Sequence, residues 1–577
     1  MYNQIIDSLN NHIEKDLRLS IDQKKILQKK HKLSLSDSLD KGHWTTNLCL
    51  ISSNFTKKSP KELAKNLSSI LQNLEGVEKT EIAGPGFLNI FLTQRAFLNQ
   101  IEEANKDTNL FTRVPKNELK KIQIEFVSAN PTGPLHVGHG RGAAYGDAIA
   151  RILSHLGHEV EKEYYINDAG RQINILVCSI FLRKFNFFDD KSFPKSAYRG
   201  NYIKEIAEST KLDLNLSPLQ KSKLIDNLPD KDEEQIDELI ERIKSTHPNE
   251  WILIKQSGLD NVLESIRDDL KKFKVNFDHW LFESSMGKLS DDNSEIFKAL
   301  DSIKEDHSYK KDGAVWFEST KFGDDKDRVI IRDDGRGTYF SADLAYHKNK
   351  LDRGFDNIIN VWGSDHHGYI KRIEASIEAM GYNKNQMKVQ LVQFANLFKN
   401  GVKIKMSTRS GSFYTLKQLI EDIGPDASRF YYLSKQADQH LDFDIDIAKS
   451  NSKENHYYYV QYAHARICSI EKKFTKLGKS LPKKFTNMDK FHTCDSLLQL
   501  ALNFQFLVKA SGRNLQPHLI IYFLRDLAQG FHHFYNETNI LKAPKDEQIN
   551  LMRSLMIVKD VIATSFKLIG IEPLEKM

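Results

Sequence analysis

Apolar side chains near the start of the chain recur at the spacing of an amphipathic helix, at Ile5, Ile6, Leu9, Ile13 and Leu17. A second helical stretch runs from Lys61 to Leu74 and begins directly after Pro60, a residue favoured in the first helical turn. The segment GPGFLNIFL, from Gly84 to Leu92, predicts a turn followed by an alternating strand. The charged segment from Lys116 to Lys121 then marks a junction, and we place the first domain boundary at residue 115.

The next segment has the pattern of a βαβ unit. IQIEFV, from Ile122 to Val127, predicts a buried strand, and a turn rich in Pro and Gly separates it from a helix-compatible stretch between His136 and His155. Gly157 ends that stretch, and EVEKEYYI after it predicts a second strand. This order predicts an α/β domain with a parallel sheet, which binds ligands where its strands end.

The rest of the chain alternates between helical and strand-like segments. From about residue 181 to 310 it is charged and helical, which predicts an insertion between two halves of the α/β domain. Strand character returns in AVWF, VIIR and NIINVW, and the last of these leads into the loop GSDHHG. After Gly424 the pattern is helical almost to the end, which predicts a helical bundle as one further domain.

The composition narrows the class of protein. A chain of 577 residues is long enough for about four domains, and 40% hydrophobic, 28% charged and 10% aromatic residues exclude a disordered, collagen-like or membrane-embedded chain. There is no apolar run long enough to span a membrane and no secretory signal pattern at the start, so we expect a cytoplasmic protein. The four cysteines are scattered without a CxxC pair, and buried free thiols are the simplest interpretation.

The net charge of +6 is distributed unevenly. Residues 1–115 carry 16 basic and 13 acidic side chains, residues 116–450 carry 49 and 53, and residues 451–577 carry 18 and 11. A basic segment at each end of a mildly acidic middle is typical of a protein that holds a polyanion at two separate places. Basic chain ends also occur in proteins that bind no nucleic acid.

The strongest chemical motif is SANPTGPLHVGHGRG, from Ser128 to Gly142. Because it follows a strand and opens a helix, unpaired backbone N–H groups and the helix dipole would face a phosphate placed there. His136 and His139 lie on one side of the first helical turn, and Gly138 between them leaves room for a flat base. The alternatives are a structural or chance pair of histidines and a zinc site, although no Glu lies between them and no third ligand is evident.

A second motif, KIKMSTRSG from Lys403 to Gly411, is a basic loop of small residues. Lys403, Lys405 and Arg409 could neutralise charge that builds on a polyphosphate leaving group, an effect commonly worth about 3 to 4 kcal/mol per well-placed group. Taken alone, the loop fits a solvated surface segment better.

The pairing of HVGH with KMSTR far downstream resembles the two signature sequences of class I aminoacyl-tRNA synthetases. Further segments resemble the arginyl members of that class: FVSANPTGPLHVGHGRG, YYINDAGRQ, WGSDHHGYIKR, GPDASRFYYL, LDFDID and VQYAHARI. The resemblance implies an α/β fold, with a Rossmann-like nucleotide-binding domain that carries an insertion, an N-terminal α/β domain and a C-terminal all-α anticodon-binding bundle. The implied domains are an N-terminal tRNA-binding domain (1–115), a catalytic domain (116–180 and 311–423), its insertion (181–310) and the anticodon-binding bundle (424–577).

The same resemblance implies roles for individual residues. The catalytic residues would be His136, His139 and Lys405. ATP would be bound by Pro134, His136, Gly138, His139, His366, Lys405, Met406 and Ser407. Arginine would be bound by Glu125, Ser128, Asn130, Tyr339 and Asp343. The tRNA would be contacted by Phe87, Asn89 and Arg466.

Alternatives remain for three parts of this assignment. Asp343 follows Tyr339 by four residues in TYFSAD and would be the acidic partner of the guanidinium, but a carboxylate there could equally cap a helix. The aromatic run from Tyr457 to Tyr462 would stack on anticodon bases, although aromatic residues at helical spacing are more often part of a core. His366 and His367 could line the adenosine or arginine pocket or bind a metal with Asp365, and the resemblance favours the first.

The implied reaction joins the arginine carboxylate to the α-phosphate of ATP, releases pyrophosphate and transfers arginine to the 3′ end of tRNA(Arg). The partners are therefore L-arginine, tRNA(Arg) and ATP with Mg²⁺, without a protein-bound structural metal and without a membrane, and we expect a monomer. Thr408 stands where the family usually has a second lysine. Arginyl enzymes generally need bound tRNA before they activate arginine, and we expect the same here.

Three competing functions are weaker. A small-molecule adenylyltransferase with an HxGH site has no use for a basic helical domain of this size. A non-catalytic tRNA-binding relative would not need His136, Gly138, His139 and Lys405 together. An oxidoreductase would need a GxGxxG turn after the first strand, and this chain has none.

Overall fold

The structure, a computed structural model, describes residues 1–304, 306–404 and 413–577. Its N-terminal unit surrounds a four-stranded antiparallel sheet in the order β1–β2–β4–β3. The elements of this unit are α1 (Tyr2–Asn11), α2 (Ile21–Lys30), β1 (Leu33–Leu35), β2 (Trp44–Thr46), α3 (Leu48–Ser52), α4 (Pro60–Gln72), β3 (Val77–Ala83), β4 (Phe87–Leu92) and α5 (Gln94–Lys106). The predicted helices and the predicted strand are confirmed, and Ser59 caps α4 directly before Pro60.

Five parallel strands form the centre of the molecule, in the order β12–β11–β5–β6–β7. They are β5 (Lys121–Phe126), β6 (Glu159–Ile166), β7 (His279–Phe282), β11 (Asn357–Gly363) and β12 (Met387–Val392). The helix α6 (Val137–His155) connects β5 to β6, as the sequence predicts. The chain proceeds from β5 to one side and from β11 to the other, so the carboxyl ends of these two strands flank a crevice suited to a ligand.

Helices fill the long connection between β6 and β7. They are α7 (Arg171–Lys184), α8 (Asn201–Ser209), α9 (Pro218–Ile225), α10 (Asp232–Thr246) and α11 (Pro248–Lys272). The strand β7 lies within the range 181–310, yet it pairs with β6 as the edge of the parallel sheet. The sequence did not indicate that this range returns to the sheet.

A second, antiparallel sheet follows, in the order β10–β9–β8. This region consists of α12 (Glu295–Lys304), β8 (Ser308–Lys311), β9 (Ala314–Phe317), β10 (Arg328–Ile331), α13 (Tyr339–Asp352) and α14 (Ile370–Ala379). AVWF and VIIR are strands, as predicted, but they lie in this separate sheet, and only NIINVW enters the parallel one.

A third small sheet, β14–β13–β15, lies between the α/β part of the chain and the helical part that follows it. Its region contains β13 (Ala395–Lys399), β14 (Val402–Lys403), α15 (Leu416–Tyr432), β15 (Leu441–Asp444) and α16 (Ile445–Lys449). Gly424 breaks α15 with a φ of +79°, directly before Pro425. The half of α15 after this break packs on α6 through Tyr432, whose hydroxyl donates to the Val137 carbonyl over 2.7 Å.

The C-terminal part is a helical bundle, as predicted. Its helices are α17 (His456–Lys476), α18 (Asp495–Leu502), α19 (Phe504–Asn514), α20 (His518–Glu537) and α21 (Lys545–Leu568). Both α19 and α21 contact α6, so the bundle packs directly on the helix that follows β5.

The N-terminal unit also packs on the bundle. A buried ion pair joins Glu102 of α5 to Arg553 of α21 at 2.9 and 2.6 Å. Nearby, Gln505 of α19 accepts from the backbone N–H of Phe111 at 2.9 Å. The two chain ends therefore form one continuous body across the molecule.

All four cysteines, Cys49, Cys178, Cys468 and Cys494, are buried with free thiols, as the sequence predicts. Among the described residues, no helix is long and apolar enough to cross a membrane.

Candidate active site

The chain leaves β5 through a strained turn. The backbone N–H of Ser128 donates to the Phe126 carbonyl over 3.0 Å, across Val127, whose φ is +68°. A positive φ at a β-branched residue costs about 1 to 3 kcal/mol, and such strain is concentrated at functional sites. The Ser128 hydroxyl oxygen accepts from the backbone N–H of Tyr165 over 3.2 Å, which fixes the turn against β6.

His136 and His139 cap the start of α6 reciprocally. Nδ1 of His136 accepts from the backbone N–H of Gly138 at 3.0 Å, and Nδ1 of His139 accepts from the backbone N–H of His136 at 3.3 Å. The two rings are stacked with their centroids 3.8 Å apart. Because each Nδ1 accepts, the proton of each neutral ring lies on Nε2, so each Nε2 is a hydrogen-bond donor.

Both imidazoles are neutral at pH 7. Burial lowers the pKa of His136, and burial together with the neighbouring His136 lowers the pKa of His139 to about 3. Two neutral N–H donors at a helix N-terminus suit an anion such as a phosphate, because the helix dipole adds to their attraction.

These histidines line the first of two adjoining cavities, which we call the histidine cavity; its volume is about 340 Å³. Predicted site residues on its wall are Ser128, Asn130, His136, Gly138, His139 and His366. Pro134 lies in the turn ahead of α6 and does not line either cavity. Lys405, Met406 and Ser407 lie outside the described residues.

Gly138 is packed tightly within this wall. A Cβ at this position would lie 2.7 Å from Cε1 of His136 and 3.4 Å from Cδ1 of Phe394. A larger residue would therefore displace the His136 ring, while the predicted role of Gly138 in making room for a flat base stays a prediction.

The second cavity, also about 340 Å³, we call the acidic cavity. It shares part of its wall with the histidine cavity, namely Val127, Ser128, Val361, Trp362, Gly363 and His366. Predicted site residues on its wall are Glu125, Ser128, Tyr339, Asp343 and His366. Asn130 lines only the histidine cavity, where its side-chain amide donates to Gln172 at 2.8 Å.

A buried lysine holds Glu125 beneath the acidic cavity. Nζ of Lys350 donates to Glu125 at 2.7 Å, and both side chains are less than 10% exposed. Burial is the largest single influence and would raise the pKa of Glu125, but the charge and hydrogen bond of Lys350, together with smaller contributions from His347 and Ser128, lower that pKa. Glu125 is therefore ionised and already paired before any substrate binds.

The same lysine begins a chain of hydrogen bonds that reaches Asp343. Nζ of Lys350 also donates to Asn360 at 2.9 Å, and the Asn360 amide donates to Nε2 of His347 at 2.9 Å. Nδ1 of His347 then donates to the Asp343 backbone carbonyl at 2.8 Å. This network fixes α13 relative to β5 and β11.

Asp343 does not cap α13. Thr338 and Ser341 form the capping box of that helix, so the capping alternative for Asp343 is wrong. Burial and the charges of Glu283 and Glu125 raise the pKa of Asp343 to about 7, against a hydrogen bond from Tyr369 that lowers it. The carboxylate is therefore poised to receive a cation.

Glu283 is the main wall residue that sequence reasoning missed. It follows the end of β7, accepts from the Tyr165 hydroxyl at 3.1 Å and lines the acidic cavity. Burial raises its pKa. A carboxylate directly after a parallel strand indicates a candidate site residue. The sequence did not identify HWLF (β7) as a strand of this sheet, so this indication was missed for Glu283.

The residues predicted to contact tRNA lie on the two chain ends. Phe87 is 39% exposed at the start of β4, whereas Asn89, two residues on along the same face, is buried with 9% of its surface exposed. Arg466 on α17 lies between the rings of Tyr462 and Tyr535, 4.3 and 4.6 Å from their centroids. Tyr462 is half-buried, so it is neither a core residue nor a free surface residue.

No group of three or more potential metal-ligating side chains occurs within the described parts of the chain. The histidine cavity contains one carboxylate, Asp365, whose oxygen is 3.2 Å from Nδ1 of His366.

Three family models match successive parts of the chain. Residues 3–92 match the arginyl tRNA synthetase N terminal domain, residues 100–444 the catalytic domain of class I (R) tRNA synthetases, and residues 460–577 the DALR anticodon binding domain.

Curated relatives are similar over nearly the whole chain. An arginine–tRNA ligase of Thioalkalivibrio sulfidiphilus is 41% identical over 93% of this chain and 94% of its own length. An arginine–tRNA ligase of Acinetobacter baylyi is 39% identical over 94% and 95%. The solved arginyl-tRNA synthetase of Thermus thermophilus, at 20% identity, has the same fold, with a TM-score of 0.76 over 100% of both chains.

Proposed function

The chain belongs to the arginine–tRNA ligases of synthetase class I, and from that premise we propose how its two cavities divide the reaction. The acidic cavity selects arginine, and the histidine cavity binds the triphosphate of ATP. The observation that supports this division is the shared wall, because an amino acid bound in one cavity would have its carboxylate next to a nucleotide bound in the other.

The first step forms a bond between an arginine carboxylate oxygen and the α-phosphorus of ATP and breaks the bond from that phosphorus to the β-phosphate bridge. Pyrophosphate leaves, and arginyl-adenylate remains. In the second step a hydroxyl of the terminal tRNA ribose attacks the arginyl carbonyl, loses its proton and displaces AMP. Both steps need alignment and charge stabilisation more than a protein nucleophile.

The charge of the acidic cavity supports arginine as the substrate. Glu125, Glu283 and Asp343 line it, and Lys350 beneath it compensates only one of these carboxylates. Arginine brings two positive charges, the guanidinium and the α-ammonium. We assign the guanidinium to Asp343 and Glu283, because a planar guanidinium pairs best with carboxylates.

The histidine cavity supports binding of the triphosphate. Nε2 of His136 and Nε2 of His139 donate to phosphate oxygens, and neither ring needs to lose or gain a proton. Gly138 lets the His136 ring lie against the backbone of α6, close to Phe394, on the wall where the nucleotide would bind. Mg²⁺ bound with ATP would add positive charge and so help to neutralise the negative charge of the pyrophosphate leaving group.

The tRNA contacts are proposed from the two chain ends. The segment 451–577 carries 18 basic and 11 acidic side chains, and its cluster of Tyr462, Arg466 and Tyr535 can stack on unpaired bases. Phe87 and Asn89 at the N-terminal sheet form the second contact. We also propose that the protein is cytoplasmic and monomeric. Sedimentation of the free protein and of its tRNA complex tests whether it is a monomer.

The family match limits the alternatives. A small-molecule adenylyltransferase would not carry an anticodon binding domain, which matches here over residues 460–577. A non-catalytic relative would not need two adjoining cavities, one of them lined by the signature histidines His136 and His139.

The decisive experiment is amino-acid-dependent exchange of pyrophosphate into ATP, with and without tRNA. Arginine is compared with citrulline, which has nearly the same shape without the charge, and with lysine, which has the charge without the planar group. We expect exchange with arginine alone, and only when tRNA is present. Exchange driven by lysine or citrulline as well as by arginine would contradict the charge-based selection, and equal rates without tRNA would contradict the tRNA requirement.

A further inference from the structure

Arg141 lies on α6 in the second helical turn and is completely buried, although it touches no predicted substrate group. Its guanidinium donates to three backbone carbonyls, those of Gln393 at 2.7 Å, Gln436 at 2.8 Å and Gln439 at 2.8 Å. These acceptors are neutral, so the cation is held by geometry rather than by an ion pair. Burial of a charge without an ion pair costs free energy, which hydrogen bonds to neutral groups offset only in part.

The three acceptors come from two different segments. Gln393 follows β12 and lines the histidine cavity. Gln436 and Gln439 lie in the connection between α15 and β15, residues 434–440, which we call the junction loop. Arg141 thus joins a cavity wall to a loop that leads towards the bundle.

Further contacts hold Gln393 between these two sides. Its backbone N–H donates to the carbonyl of Ala437 in the junction loop at 2.8 Å. Its side-chain oxygen accepts from the Ser364 hydroxyl at 2.9 Å, at the loop that follows β11. The position of Gln393 in the cavity wall is therefore set by the junction loop, by Ser364 and by Arg141 together.

The junction loop also contacts α6 at a second point and lies close to the start of α20 in the bundle. The Tyr145 hydroxyl of α6 donates to the Lys435 carbonyl. His518, the first residue of α20, is near enough to Asp438 and Arg141 that their charges act on its pKa, which burial lowers. A displacement of the bundle would therefore move the junction loop first. The movement of the loop would then shift Gln393 in the wall of the histidine cavity.

We propose that Arg141 is a positioning residue that makes the ATP-binding wall at Gln393 depend on the seating of the junction loop. This inference rests on the proposed function, because it takes the histidine cavity as the nucleotide site. Arg141 fixes the positions of α6, the cavity wall at Gln393 and the junction loop relative to one another. It does not contact the proposed arginine site.

The test compares Arg141→Lys with Arg151→Lys. Lysine keeps the charge, but its single ammonium cannot bond carbonyls on both segments, so we expect the KM for ATP to rise about tenfold in Arg141→Lys while the KM for arginine stays within about twofold. Arg151 lies on the same helix, where it pairs with Asp147 at 2.6 Å and donates to the Lys274 carbonyl at 3.2 Å. Arg151→Lys therefore makes the same exchange without removing a contact of Gln393 or of the junction loop described above, and we expect it to leave the KM for ATP unchanged.

Direct ATP binding, measured by calorimetry, separates this inference from the proposed function. If the wild-type protein binds ATP but shows no arginine-dependent exchange, the proposed function fails, and the ATP affinity of Arg141→Lys still decides the role of Arg141. An unchanged ATP affinity in Arg141→Lys would overturn the inference, as would equal increases in both KM values.

A second variant covers the case in which Arg141→Lys does not fold. Ser364→Ala releases the side chain of Gln393 from the opposite side and leaves α6 intact. We expect a rise of about two- to fivefold in the KM for ATP with no change for arginine. No change for ATP would then overturn the inference.

Discussion

Asp343 is held where its negative charge is costly until a cation arrives. Burial and two neighbouring carboxylates raise its pKa to about 7, while the hydrogen bond from Tyr369 offsets only part of this. A bound guanidinium reverses the balance, because it stabilises the ionised form. Substrate binding and ionisation of this residue are therefore linked.

This linkage predicts how arginine affinity depends on pH. Below pH 7 the free enzyme holds a proton on Asp343 that arginine must displace, so the KM for arginine should fall by up to about tenfold per pH unit as pH rises towards 7 and then level off. The KM is measured between pH 5.5 and 8.5 at saturating ATP and tRNA. Asp343→Asn should bind arginine weakly with a flat profile, and a wild-type slope in that variant would assign the titration to another group.

Gly138 provides a second prediction at a single residue. In Gly138→Ala the new Cβ lies 2.7 Å from the His136 ring, so the ring and its Nε2 donor must move. We expect turnover to fall by about 100-fold, the scale of losing one preorganised donor, with a nearly unchanged melting temperature.

Gly142→Ala is the matched comparison for this variant. Gly142 lies one turn further along α6 and also lines the histidine cavity, but a Cβ there meets no atom within 4 Å. Its turnover should fall much less than that of Gly138→Ala. Equal losses in the two variants would show that cavity volume, not the His136 ring, controls the rate.

At the scale of elements, the helix α13 supplies one whole side of the acidic cavity and the support beneath it. Tyr339, Asp343, Tyr346, His347 and Lys350 lie at helical spacing along one face. The resemblance to the synthetase family predicted that Tyr339 and Asp343 bind arginine. It could not reveal that Lys350 pairs with Glu125, because the two are 225 positions apart and only the folded sheet joins them.

The distance between partners along the chain also explains which strands the sequence predicts and which it does not. The unit of β5, α6 and β6 is contiguous, and its pattern predicts both its elements and their order. In contrast, HWLF is short and lies within a charged helical range, so its place beside β6 depends on a packing partner more than 100 residues earlier. Glu283 at the end of that strand was missed for this reason.

The buried pair under α13 yields a prediction on stability. Lys350→Met leaves Glu125 buried without its partner, so we expect the free energy of unfolding to fall by about 3 to 5 kcal/mol. In Glu125→Gln combined with Lys350→Met, no charge is stranded, and the loss should be smaller than the sum of the single losses. Urea denaturation of the four proteins measures this coupling.

Lys348→Met is the control on the same helix. Lys348 pairs with Asp352 at 2.7 Å near the surface, so its removal should cost at most about 1 kcal/mol. A loss as large as that of Lys350→Met would mean that the helix, rather than the buried pair, is responsible.

At the scale of the whole molecule, the two proposed tRNA surfaces belong to one body. The N-terminal unit and the bundle meet through the Glu102–Arg553 pair, which is less than 10% exposed on both sides. The bundle in turn packs on α6. The spacing between Phe87 and Arg466 is therefore set by this contact rather than by a flexible linker.

Breaking that contact should affect tRNA and spare the small substrates. In Arg553→Met the buried Glu102 loses its partner, and we expect the KM for tRNA to rise about tenfold while the KM for arginine and for ATP at saturating tRNA changes less than twofold. Aminoacylation kinetics measure both. Arg95→Met removes an exposed pair with Asp489 at the same contact and should change neither value.

A rise in the KM for ATP as large as that for tRNA would contradict this view of the contact. It would mean that the N-terminal unit supports the catalytic domain directly and does not act mainly by setting the distance between two RNA contacts.

The burial of all four cysteines makes the chain suitable for site-specific labelling. Burial raises the pKa of all four thiols, to about 12 for Cys49 and Cys494, so at neutral pH they are almost entirely protonated and shielded from reagents. The folded wild-type protein should react with no equivalent of a maleimide dye, and Ser469→Cys, exposed one helical turn beyond Arg466, with one. A fluorophore there would report tRNA binding in real time without prior removal of any native cysteine, and labelling of the unmodified protein would show that the interior opens to solvent.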